Sequence, residues 1–106
     1  MKLKIGMMID KDHIIANLRE VYDPEISINV YDLGLIYDII IDEKESSVEI
    51  IATLTSVFCP FADEIIGSMT QACYVENVQS AHVEITFEPP FTMDSVPETT
   101  RLIMGW

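Results

Sequence analysis

Residues 48–61 read VEIIATLTSVFCPF, and the fold turns on how that run divides. Val48, Ile50, Ala52 and Leu54 alternate with Glu49, Ile51, Thr53 and Thr55, the period of two that lets a strand bury one face. Proline suits a first helical position, so the strand is predicted to run through Thr55 and a helix to start at Pro60, with Cys59 as N-cap. A sulfur placed there faces unpaired N–H groups and the positive end of the helix dipole. Both favour the thiolate, the form that attacks electrophiles and binds metal. Asp63 and Glu64 in the first turn work against this, because they occupy the same dipole and repel a thiolate.

Downstream of this run, Ala62, Ile65, Ile66, Met69 and Cys73 form one apolar stripe, which predicts a helix over residues 60–74. Residues 81–87 alternate again, with Val83, Ile85 and Phe87 inward and His82, Glu84 and Thr86 outward. Pro89-Pro90 ends that strand. Ser95 and Glu98 have capping-box spacing for a last short helix that stops at Gly105.

Upstream, residues 35–41 read as a strand, joined to residues 48–55 by a polar hairpin loop over residues 42–47. Asp32-Leu33-Gly34 reads as a turn and residues 26–30 as a brief strand. Ile14, Leu18, Val21 and Tyr22 predict a helix over residues 12–22, capped by Asp10 or Asp12, with Asn17 facing out and Asp23-Pro24 ending it. Residues 1–9 read as a loose arm. The order helix, strands, helix, strand, helix predicts an α+β two-layer sandwich, a mixed sheet of three to four strands with helices packed on one face. The helix after Cys59 is the crossover if the strands it joins are parallel.

The chain has 106 residues and 49% apolar content, which fits one globular domain with its own core. Eighteen acids against six bases give a formal net charge of −12. That balance repels phosphate backbones and acidic bilayers, so neither nucleic acid nor membrane is an expected partner. Ile5 to Ile9 is too short an apolar run, and too soon followed by charge, for a signal peptide. Cys59 and Cys73 are therefore expected as free thiols in the cytoplasm.

Four segments together, Asp23-Pro24-Glu25, Asp32-Leu33-Gly34-Leu35-Ile36-Tyr37, Thr53-Leu54-Thr55-Ser56 with Cys59-Pro60, and Glu88-Pro89-Pro90-Phe91, resemble the iron-sulfur cluster assembly family. That family includes SufT-like and PaaD-like proteins and the cytosolic iron-sulfur targeting factors of eukaryotes. The resemblance runs from about residue 12 to the C-terminus. It implies one assembly-type domain over residues 1–106, a fold like the C-terminal domain of NifU-type scaffolds, a role in maturing iron-sulfur proteins, and a key cysteine at Cys59. Two positions depart from the family pattern. Val57-Phe58 stands where Pro-Gly is usual, giving a bulkier approach to Cys59, and Phe91 stands where tryptophan is usual, keeping an aromatic wall but losing an N–H donor.

The resemblance also puts Glu25 near the cysteine loop, where it could hold the hydroxyl of Thr55 or Ser56 or act as a hard ligand to iron. Asp32 reads as a turn former bonded to local backbone. Cys73 lies on the apolar stripe and reads as core. His13 and His82 read as solvated, with no Cys, His or acidic partner at metal-ligand spacing.

A stable cluster normally needs four ligands, mostly thiolates, and this chain offers one candidate. No monomer is then expected to hold iron or a cluster stably. Two chains could share a cluster through paired Cys59 residues as a homodimer, an external thiol could complete the set, or Cys59 could act on a partner without binding iron. The leading expectation is a non-enzymatic accessory factor that meets scaffold or client proteins. The alternatives are an adaptor docking partners through Pro89, Pro90 and Phe91, with Cys59 structural, and, ranked last for want of a positioned base, a thiol enzyme.

Overall fold

The alternating run becomes the middle strand of a three-stranded sheet in a computed structural model that describes residues 8–23, 28–55 and 60–105. In chain order the elements are α1 (Lys11–Leu18), α2 (Val30–Leu33), β1 (Ile36–Asp42), β2 (Ser47–Ala52), α3 (Ala62–Ala72), β3 (Ser80–Ile85), a 3-10 turn (Met93–Ser95) and α4 (Glu98–Met104). The strand order is β1-β2-β3. β1 and β2 form an antiparallel hairpin, with Ile39 opposite Ile50 and a register irregularity between Ile36 and Asp38. β2 and β3 are parallel, with Ile50 opposite Val83, and α3 makes the crossover between them. The sheet is therefore mixed, as the element order predicts.

Period-two patterning places Val48, Ile50 and Ala52 in the core and leaves Glu49 and Ile51 on the other face, partly exposed. Ile14, Leu18, Ile50, Met69 and Cys73 are fully buried. Burying each large aliphatic side chain contributes about 1.5–3 kcal/mol. Asn17 does not face out. Its Nδ2 donates to the Ala72 carbonyl at 3.1 Å, which ties α1 to a C-terminal carbonyl of α3 that has no partner within its own helix.

Several boundaries differ from the sequence reading, each for a local reason. α1 stops at Leu18 because the backbone turns: the Glu20 and Val21 N–H groups reach back only to Asn17 and Leu18. Tyr22 is exposed and pairs with Asn29 in an isolated bridge. Residues 28–30 are not strand beyond that bridge, because the Asn29 side chain accepts from the Asp32 N–H and caps α2. Thr53 belongs to the core, not to a polar face. Its N–H donates to the carbonyl of fully buried Leu35, which covers this end of the strand. The expected capping box at Ser95 and Glu98 does not form. The Ser95 hydroxyl accepts from the Thr92 N–H, and α4 begins after Pro97.

Gly105 does end α4 in a left-handed conformation. Residues 8 and 9 are not part of a loose arm: Ile9 is buried and its N–H donates to the Glu43 carboxylate, while the Met8 carbonyl accepts from Asn77 Nδ2; the rest of the expected arm, residues 1–7, lies outside the described residues. No helix among the described residues is long and apolar enough to cross a membrane.

Candidate functional site

A relay of backbone hydrogen bonds joins the signature segments at one end of the sheet. The Asp23 N–H donates to Ile28 O at 3.1 Å, and the Val30 N–H donates to Val21 O at 2.8 Å. From Val30 the relay continues through Leu35 N–H to Val30 O (3.1 Å) and Thr53 N–H to Leu35 O (2.9 Å). β3 leaves the same end, where the Thr86 N–H donates to Ala52 O at 2.8 Å. The Tyr37 hydroxyl completes the set by donating to the Pro89 carbonyl at 2.8 Å.

Gly34 makes this convergence possible in two ways. It caps α2 at φ +90°, a left-handed conformation that side chains disfavour. A Cβ there would also fall on the Ser95 carbonyl oxygen. The turn and the post-proline loop thus approach backbone to backbone. Between them lies a groove of about 600 Å³, whose walls include Gly34, Ile36, Tyr37, Pro89, Pro90 and Ser95. Of the three residues expected to dock a partner, Pro89 and Pro90 line this groove. Phe91 instead packs against the core and anchors the loop. The Thr100 hydroxyl donates to the Asp32 carbonyl at 3.0 Å and holds α4 against the same turn.

Glu25, Ser56 and Cys59 lie outside the described residues; Thr55 and Pro60 flank the cysteine segment, Thr55 partly exposed and Pro60 exposed. The expectation that Cys59 is the N-cap is corrected: α3 starts at Ala62 with Phe61 in the cap position and no side-chain cap bond. Pro60 is in the preceding turn, so the cysteine stands two positions before the cap in sequence. Asp63 and Glu64 occupy the first turn, both exposed.

Cys73 behaves as core. It has no exposed surface, its Sγ donates to the Met69 carbonyl at 3.4 Å, and burial pushes its thiol up to about 11. A neutral, sealed thiol is neither nucleophile nor ligand. Asp32 is a turn former as expected: its N–H donates to Asn29 Oδ1 and its carboxylate accepts from Asn29 Nδ2. Its ion pair with Arg19, 3.5 Å long and half exposed, adds little.

His82 departs from its expected isolation. Its Nε2 lies 3.2 Å from Glu84 Oε1, and Glu49 sits opposite it on β2. The signal was available in the sequence: residues two apart on a strand share a face, and His82 and Glu84 are two apart. Glu49 required the β2–β3 register, which sequence alone does not give.

Comparison with known proteins agrees with this architecture. Residues 11–85 match a family model described as iron-sulfur cluster assembly protein. An Fe-S protein maturation auxiliary factor of Porphyromonas gingivalis is 39% identical over 97 residues, covering 91% of each chain. The Fe-S protein maturation auxiliary factor YitW of Bacillus subtilis is 33% identical over 96 residues, covering 90% of this chain and 93% of its own. Among solved structures, a domain of unknown function from Bacillus anthracis superposes with a TM-score of 0.80 at 28% identity, covering 90% of this chain and 91% of its own. A conserved hypothetical protein of Thermotoga maritima gives 0.78 at 33% identity, over 94% of this chain and 98% of its own.

Proposed function

This chain belongs to the iron-sulfur cluster assembly family, and from that membership we propose that it is an accessory factor in iron-sulfur protein maturation, acting through Cys59 on a cluster or a client. One observation supports the reading: hydrogen bonds running from Asp23 through Leu35 and Thr53, and from Tyr37 to Pro89, bring described residues of all four signature segments to one end of the sheet. Such a concentration of backbone bonds holds an irregular region rigidly enough to present a short reactive segment beside a groove.

Ligand chemistry limits the mechanism. Cys73 is sealed and protonated, so Cys59 is the sole thiol available to iron. A cluster as cargo then takes its remaining ligands from a second copy of the chain, a small thiol or the recipient protein. Under-ligation favours release, which a carrier requires. The groove beside Pro89 and Pro90 is the contact surface for scaffold or client.

Anaerobic reconstitution with iron and sulfide, on the wild type and Cys59→Ser, tests this. A chromophore that depends on Cys59 and tracks a dimeric mass supports carriage, and maturation of a client lost in Cys59→Ser supports the role more broadly. Full client maturation by Cys59→Ser would transfer the function to the groove. That adaptor reading is favoured by one specific feature, the fixed geometry of the Tyr37–Pro89 wall.

A further inference from the structure

We propose that Glu49, His82 and Glu84 form a binding site for one divalent first-row transition-metal cation on the open face of the sheet, with a donor set that does not include Cys59. One ligand atom from each of the three lies within 4.8 Å of the others. Metal–nitrogen and metal–oxygen bonds of about 2.0–2.2 Å require donors no more than about 4.4 Å apart, so small side-chain rotations close the site.

The backbone supplies the precision. Glu49 and His82 are register partners across the parallel β2–β3 ladder, and Glu84 follows His82 by two residues on the same face. All three therefore rise from regular strand, not from loops. Glu49 and Glu84 bring two negative charges to one patch, where their repulsion is relieved by a cation. The chain's charge of −12 adds long-range attraction.

The donor set selects the cation class. One imidazole with two carboxylates and no thiolate suits zinc, cobalt, manganese or ferrous ions better than soft cuprous ion, and the nitrogen donor argues against calcium. Beside the site, Glu49 and His82 also line a hollow of about 350 Å³ together with Asp42 and Ser47. That hollow has room for the waters that complete a three-ligand sphere.

The test is anaerobic titration of the full chain, and of its Cys59→Ser variant, with cobalt(II) followed by displacement with zinc(II). The readouts are visible absorption and the histidine ring resonances in NMR. One saturable equivalent is expected in Cys59→Ser, without a sulfur charge-transfer band and with the His82 ring shifted. Each of Glu49→Gln, His82→Ala and Glu84→Gln should weaken it at least about tenfold, the lower bound seen even for outer-shell partners. These side chains are at least partly exposed, so the variants keep the fold. Absence of saturable binding in Cys59→Ser, or binding indifferent to the three substitutions, would overturn the proposal. Its failure leaves the Cys59 reading untouched, because that reading is scored by sulfide-dependent chromophore and client maturation.

Discussion

The two ends of α3 differ as sharply as any regions of the molecule. Near its start, irregular elements meet mainly through backbone, Gly34 against Ser95 and Thr53 on Leu35, with the Tyr37 hydroxyl on the Pro89 carbonyl beside them. Near its finish, regular elements are held by side chains, with Asn17 on Ala72 and the thiol of Cys73 sealed in the core. One thiol sits at the quiet end; the other, at residue 59, precedes the irregular end. The lesson is that packing disarms Cys73, while at the other end buried residues such as Leu35 and Thr53 are held by backbone hydrogen bonds as well as by packing.

Substitutions can break that contrast, starting where both ends share a core. Ile50→Ala, in the middle of β2, should cost about 2–5 kcal/mol in urea unfolding and lower both ends together. Gly34→Ala should cost roughly 2–4 kcal/mol, combining left-handed strain with a backbone clash. It should also widen the groove, read as faster amide exchange at Ser95, while leaving exchange in β1 and β2 slow. An equal loss of protection throughout would erase the distinction between the ends.

At the quiet end the effect is pH-dependent. The Cys73 thiol ordinarily titrates near 9.0 and is raised to about 11 in the fold. Its contribution is present in full below pH 9 and is lost as pH rises from 9 to 11, because the unfolded chain gives up the proton first. Cys73→Ala should flatten that alkaline decline in chemical denaturation, at the expense of some packing. The smallest change is Tyr37→Phe, expected to lose about 0.5–1.5 kcal/mol with its bond to Pro89. Its sharper readout is partner affinity at the groove, which should fall while the reactivity of Cys59 toward a thiol reagent stays the same.

Much of the fold was legible because it rests on periodicity. The alternations over residues 48–55 and 81–87 became strands that end earlier than expected, at Ala52 and Ile85, and the stripe with Ile65 and Met69 became a helix that Cys73 caps. What escaped prediction depended on contacts far apart in sequence. Thr53 looks polar and outward until Leu35 covers it, and Asn17 looks solvated until the end of α3 arrives beside it. Pro60 suggested a helix start by its fixed φ, yet the chain takes a further turn before α3 begins at Ala62. At the site, the motifs were visible singly, but their meeting through Gly34 and Tyr37 was not. No local rule says that a glycine turn at residue 34 will abut a carbonyl at residue 95.

The bond from Thr100 to the Asp32 carbonyl carries a consequence for how the molecule comes apart. Residues 86–105 drape back over the first half of the chain without adding a strand, held by that hydroxyl, by buried Val96 and by Phe91. It works as a clasp. A protease that nicks the exposed Glu88–Pro90 bend would unfasten it, baring Gly34 and the Tyr37 hydroxyl while the three strands stay zipped.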